Sequence, residues 1–127
     1  MNISEYFNDI INEIKQHPLV KKIHIRNEQV SLKKGYVRLT ALFIDNSELH
    51  VFEYVDSDLR RISYAYHYQD SSRSLIFRYD NEPHYPSLPT FPHHKHLTEE
   101  KIPKASEEVN IREVLREITL HITKARS

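Results

Sequence analysis

Between Tyr36 and Asp80, four runs rich in apolar residues follow one another with only short polar breaks: YVRLTALFID (36–45), ELHVFEYV (48–55), ISYAYHYQ (62–69) and SLIFRYD (74–80). Parallel neighbours would need crossovers of a dozen or more residues, usually carrying a helix, and these breaks are too short for that. The runs must fold back on one another. Asn46-Ser47 turns the first hairpin, Asp56 to Arg60 connects it onward, and Asp70-Ser71-Ser72-Arg73 turns the second. Their β-branched and aromatic residues suit strands, so the centre of the chain reads as an antiparallel meander.

The flanks read differently. From Asn2 to Gln16, Ile3, Tyr6, Phe7, Ile10, Ile11 and Ile14 recur at helical spacing, with Ser4-Glu5 as the polar start and His17-Pro18 as the stop. From Leu19 the period shortens to two, which predicts an edge strand guarded by Lys21 and Lys22. Gly35, the single glycine, is expected to supply the turn after Lys33-Lys34. Near the other end Ile111, Val114, Leu115, Ile118 and Ile122 form a second helical stripe. Ser106 is its expected N-cap, with Glu107 and Glu108 in the first turn and Lys124 and Arg126 in the last. The expectation is one α+β domain over residues 1–127, in which an antiparallel β-meander of four to five strands packs on N-terminal and C-terminal helices.

Eighteen Lys and Arg balance eighteen Asp and Glu, giving zero formal net charge and a pI near 7.1. Proteins held on nucleic acid by bulk charge usually have domains with pI above about 9, so only a local basic site fits here. With no cysteine, disulfides and thiolate metal sites are excluded, which is compatible with a reducing compartment. No run of about 18 apolar residues and no charged-apolar leader stands in the chain, so it reads as soluble, with no membrane partner and no secretion signal of the usual kind.

One stretch is composed unlike the rest. LIFRYDNEPHYPSLPTFPHHKHL, residues 75–97, holds four of the nine histidines and four of the six prolines. Proline stiffens a loop, and histidine exchanges protons near neutrality. If both hairpin loops hold an even number of residues, His67, Arg78 and Asp80 share one strand face, and Arg38 and Glu53 share the corresponding face of the first hairpin. The loop would then lay His84, His93 and His96 across that face, while Val37, Leu39, Tyr64, Tyr66, Phe77 and their neighbours line the opposite, apolar face.

RNA cleavage needs a base for the 2′-hydroxyl, an acid for the leaving oxygen and a cation at the phosphate. His67, Arg78, Asp80, His84, His93 and His96 are the candidate catalytic groups. Arg38, Glu53, Tyr66, Tyr68, Asn81 and Lys95 are the candidate substrate contacts, the tyrosines by stacking on bases. Histidine is also a common metal ligand, but the loop has no HExxH spacing, and alternation along an extended segment would separate His94 from His96. The expectation is a site without metal or cofactor, with a metal-binding protein or metal-dependent hydrolase using the histidine loop as the alternative. A non-catalytic module that folds against a partner is the third reading.

YAYHYQD at 64–70, LIFRYDN at 75–81, PHYPSLPTFPHHKH at 83–96 and the preceding VRLTALFIDNSELHVFEYV together resemble the TumE-type toxins of prokaryotic type II toxin-antitoxin modules. The resemblance covers about residues 30–120. It implies a small cytoplasmic toxin neutralised by a helix-turn-helix, Xre-like antitoxin encoded beside it. It also implies growth inhibition by endoribonuclease action on RNA or ribosome-bound mRNA, and is compatible with a homo-oligomer. The neutral pI departs from the basic character usual in small RNase toxins.

Overall fold

The computed structural model describes residues 1–98 and 100–126. Helix α1 (Ile3–Lys15) leads into seven strands, β1 (Val20–Val30), β2 (Lys34–Phe43), β3 (Glu48–Asp56), β4 (Arg61–Gln69), β5 (Leu75–Asp80), β6 (His94–Leu97) and β7 (Lys104–Ala105), and helix α2 (Ile111–Arg126) follows. The strands stand in sheet order as they do in sequence, each antiparallel to its neighbour. This is the α+β meander, with seven strands in place of four or five. The two additional strands come from the end of the histidine-rich stretch, where His94–Leu97 pairs with β5, and from the connector after it.

Both helices lie against one face of the sheet. Ile3, Phe7, Ile10 and Ile14 of α1 and Val114, Leu115, Ile118 and Ile122 of α2 meet Leu39, Phe43, Val51, Tyr66, Tyr68 and Phe77 in one core. Each fully buried side chain of this size stabilises the fold by about 1.5–3 kcal/mol. The helix starts differ from expectation. Asn2 caps α1, accepting from the Glu5 amide at 2.8 Å while Glu5 returns a bond to the Asn2 amide, a closed capping box. Asn110 does the same for α2 with Glu113, so this helix begins five residues after Ser106. Ser106 instead donates its amide to Thr90 Oγ1, tying the connector to the loop.

Three turns share one device. Asp45, Asp56 and Asp70 each accept the amide two residues on, at 2.8–3.0 Å. Asn46, Leu59 and Arg73 then take the left-handed conformation, at φ of 66°, 62° and 68°. Gly35 serves another purpose: it lies inside β2, opposite Val30 and Val55. A Cβ there would stand 2.9 Å from both the Gln29 carbonyl oxygen and Ile3 Cγ2, so close approach of α1 and β1, not turn geometry, requires glycine.

Candidate active site on the open face of the sheet

The face away from the helices is built by register. Thr40, His50, His67, Arg78 and His96 are successive cross-strand partners from β2 to β6, and Arg38, Phe52, Ala65, Asp80 and His94 form the next row. Side chains on one face of adjacent strands stand near enough to interact directly. In the second hairpin His67 faces Arg78, and His67, Arg78 and Asp80 share a face as expected.

The first hairpin differs in parity. Five residues separate Leu42 from its partner Glu48, an odd number, so Val37 faces Glu53 and Arg38 faces Phe52. Glu53 therefore leaves the patch where it was expected and points into the core. There it is 1% exposed and accepts from the hydroxyls of Tyr6, at 2.5 Å, and Tyr66. Arg61 donates to Tyr66 at 2.7 Å and to the half-exposed Glu108 at 2.8 Å, linking this buried cluster to the surface. Burial pushes the Glu53 carboxyl up against the pull of these donors.

On the open face Asp80 is the hub. Its Oδ1 lies 2.8 Å from His94 Nε2 and accepts the Glu82 amide at 3.0 Å; its Oδ2 accepts from Arg78 Nε at 3.0 Å and lies 3.8 Å from His96 Nε2. His94 and Asp80 are almost fully enclosed. The Pro92 carbonyl at 3.0 Å from His94 Nδ1 fixes the ring, and Tyr85 packs edge-on over His94 and His96. His94 and His96 are two apart on one strand and so lie on the same side, with Lys95 opposite; alternation unites the two histidines. His67, beside Arg78, bonds Gln69 through Nε2 at 3.1 Å. Burial lowers the pKa of His67, and Arg78 and His50 lower it further. Burial likewise lowers His96 and His50. A lowered pKa favours the neutral ring, the state a general base requires, while the Asp80 carboxylate pulls His96 the other way.

The other expected residues lie elsewhere. His84 is exposed at the loop, 3.4 Å from Glu82. His93 faces the core side, stacked on Tyr64 and 2.8 Å from its hydroxyl. Tyr66 and Tyr68 are buried beneath the sheet. Lys95 pairs with Glu117 of α2 at 2.8 Å, over the ring of Tyr79. Asn81 bonds the Tyr64 amide and the Ile62 carbonyl, fastening the loop to β4. Arg38 does face the site, its guanidinium 4.2 Å from the Phe52 ring centroid. His50, Phe52 and His94 join the face unforeseen. The signal for His94 was its spacing from His96, and for His50 and Phe52 it was the loop parity.

A model of the toxin TumE family matches residues 10–122. The chain belongs to the toxin TumE family. No curated protein and no solved structure matches it. The family match spans every strand, the second half of α1 and most of α2, so the whole of this TumE toxin's sheet, with the Asp80 hub and the His67–Arg78–His96 row, lies inside it. No helix among the described residues is long and apolar enough to cross a membrane.

Proposed function

We propose that this TumE toxin arrests growth as a metal-independent endoribonuclease, in the cytoplasm, within a type II module whose helix-turn-helix, Xre-like antitoxin is encoded beside it. One observation carries the chemistry: Arg78 is the cross-strand partner of both His67 and His96, so two imidazoles flank one guanidinium. Strands stand about 4.8 Å apart, which sets the two histidine backbones roughly 10 Å from each other across the arginine, a span suited to a phosphodiester.

The neutral His67 takes the 2′-hydroxyl proton as that oxygen attacks phosphorus. Arg78 neutralises the equatorial oxygens, Asp80 holding its guanidinium in place. His96, whose protonated form the Asp80 carboxylate 3.8 Å away favours, gives its proton to the departing 5′-oxygen, leaving a 2′,3′-cyclic phosphate and a free 5′-hydroxyl. The substrate is RNA, free or ribosome-bound. Induced wild type should arrest growth, whereas His67→Ala, Arg78→Ala and His96→Ala should not, and purified protein should yield cyclic-phosphate ends in the presence of EDTA. Equal toxicity of all four proteins would overturn the site.

A second reading rests on the ligand atoms of Asp80, His94 and His96, which lie within 4.8 Å of one another. The His94 Nδ1 contact to the Pro92 carbonyl is the kind that orients a metal-ligating imidazole. Asp80, His94 and His96 would then hold a divalent transition metal. Metal analysis after chelator-free purification separates the readings: one equivalent of metal, with activity abolished by EDTA and restored by the ion, favours this one.

A further inference from the structure

Strand β4 is asymmetric in bulk. Tyr64, Tyr66 and Tyr68 point into the core, and the positions between them on the open face are Ser63, Ala65 and His67. The small pair leaves a trough of about 220 Å³, floored by Ser63 and Ala65, with Phe52 and Arg38 on one side and Arg78 and Glu82 on the other. A second hollow of about 500 Å³ shares Arg38 and Phe52 with it, and Tyr36, Tyr54 and Lys34 are among its other lining residues. Tyr36 and Tyr54 are direct cross-strand partners, next to the Arg38–Phe52 pair. Four aromatic and guanidinium planes are thus lined up on the open face of two adjacent strands, leading to the His67–Arg78–His96 row.

The charge on this face fits a polyanion. Arg26 and Arg38 border the trough, and among the described residues neither is within 4.0 Å of a carboxylate.

Resting on the reading of the His67–Arg78–His96 row as an RNA site, the geometry points to a track for single-stranded RNA across β2, β3 and β4. Unpaired bases stack on Phe52, Tyr36 and Tyr54, Arg38 and Arg26 take the phosphates, and the strand delivers its scissile phosphate to Arg78. Aromatic planes grip bases only when those are unstacked, and a duplex presents none. A neutral chain with Arg26 and Arg38 as the arginines bordering the trough without a carboxylate partner has too little charge there to hold a duplex by phosphate contacts alone.

The test uses full-length protein and a fluorescent 2′-O-methyl RNA 10-mer, which cannot be cleaved, so binding is read apart from chemistry. Wild type should bind this probe at least tenfold more tightly than the same sequence as a blunt duplex. Phe52→Ala should weaken binding about tenfold or more, while Phe52→Trp retains it. Arg38→Ala should reduce the slope of log affinity against log salt by about 0.7. Circular dichroism of each variant confirms the fold. Equal affinity for strand and duplex, no binding of either, or a folded Phe52→Ala that binds as wild type would overturn the track. Binding as expected without cleavage of unmodified RNA would overturn the nuclease reading and leave the track standing; cleavage untouched by Phe52→Ala would do the reverse.

Discussion

Asp80 is the residue whose removal tests the site and the fold together. Its carboxylate, only 4% exposed, joins Arg78, His94 and the Glu82 amide. Asp80→Ala would leave His94, 2% exposed, facing a void with Nε2 unpartnered. Breaking a buried charged pair from one side costs about 3–5 kcal/mol. The Arg78 end is about a third exposed and rehydrates, which places the expected loss near the lower bound, about 3 kcal/mol. For a chain of this length each kcal/mol moves Tm by roughly 3 °C, so a fall of about 10 °C is expected. Asp80→Asn keeps the shape and one acceptor and should cost about half as much. Urea unfolding gives both free energies, and amide exchange locates the damage. Exchange should accelerate first in His94–Leu97, because among the described residues β6 pairs in the sheet only with β5 and the two-residue β7. A loss below about 1 kcal/mol for Asp80→Ala, or unchanged protection in β6, would refute the role of this carboxylate as the clamp on the last strands.

Glu53 gives a stability test with a definite sign. Its folded pKa is raised above the ordinary 4.5, so the native state holds its proton more tightly than the unfolded chain, and the contribution present below about pH 4.5 is lost as pH rises through the folded value. Glu53→Gln should therefore gain on wild type as pH is raised from 4.5, measured by urea unfolding at several pH values; a constant difference would refute this. His67 should titrate below 6.5 in NMR spectra. Arg78→Ala should move it upward yet leave it under 6.5, since burial is the larger cause. Its depressed pKa also predicts that stability falls as pH drops below 6.5, because the unfolded chain takes the proton more readily. Gly35→Ala forces a methyl to within 2.9 Å of the Gln29 carbonyl, and should cost about 1–3 kcal/mol by urea unfolding.

What could be read from the sequence follows the range of the interactions involved. The strand runs, the apolar stripes of α1 and α2 and the α+β class are periodic features, carried by each segment alone. His67, Arg78 and Asp80 share a face because their spacing and one even hairpin put them there. Register is not carried by a segment alone. A single residue in the β2–β3 loop exchanged Glu53 for Phe52, replacing the carboxylate expected beside Arg38 on the open face with a ring on which its guanidinium stacks. The caps show the same limit: Ser106 has the chemistry of an N-cap, but its amide is drawn to Thr90, and Asn110 closes the box with Glu113.

The largest departure is the histidine-rich stretch, and its cause joins fold to site. Four prolines argue for an irregular loop, and from 81 to 93 it is one. From His93 to Leu97 no proline interrupts, and the edge of β5 offers unpaired backbone groups that must be satisfied. His94 takes the place opposite Asp80 both in backbone register and through its side chain at 2.8 Å. The contact that zips β6 onto the sheet is thus the one that brings His96 beside Arg78. A four-residue strand carries little burial of its own, so the polar hub substitutes for a core at this edge. The catalytic row proposed above therefore exists only when β6 is docked. Any partner that pulled β6 from β5 would silence the row by removing His96 while leaving the helices and the first five strands in place.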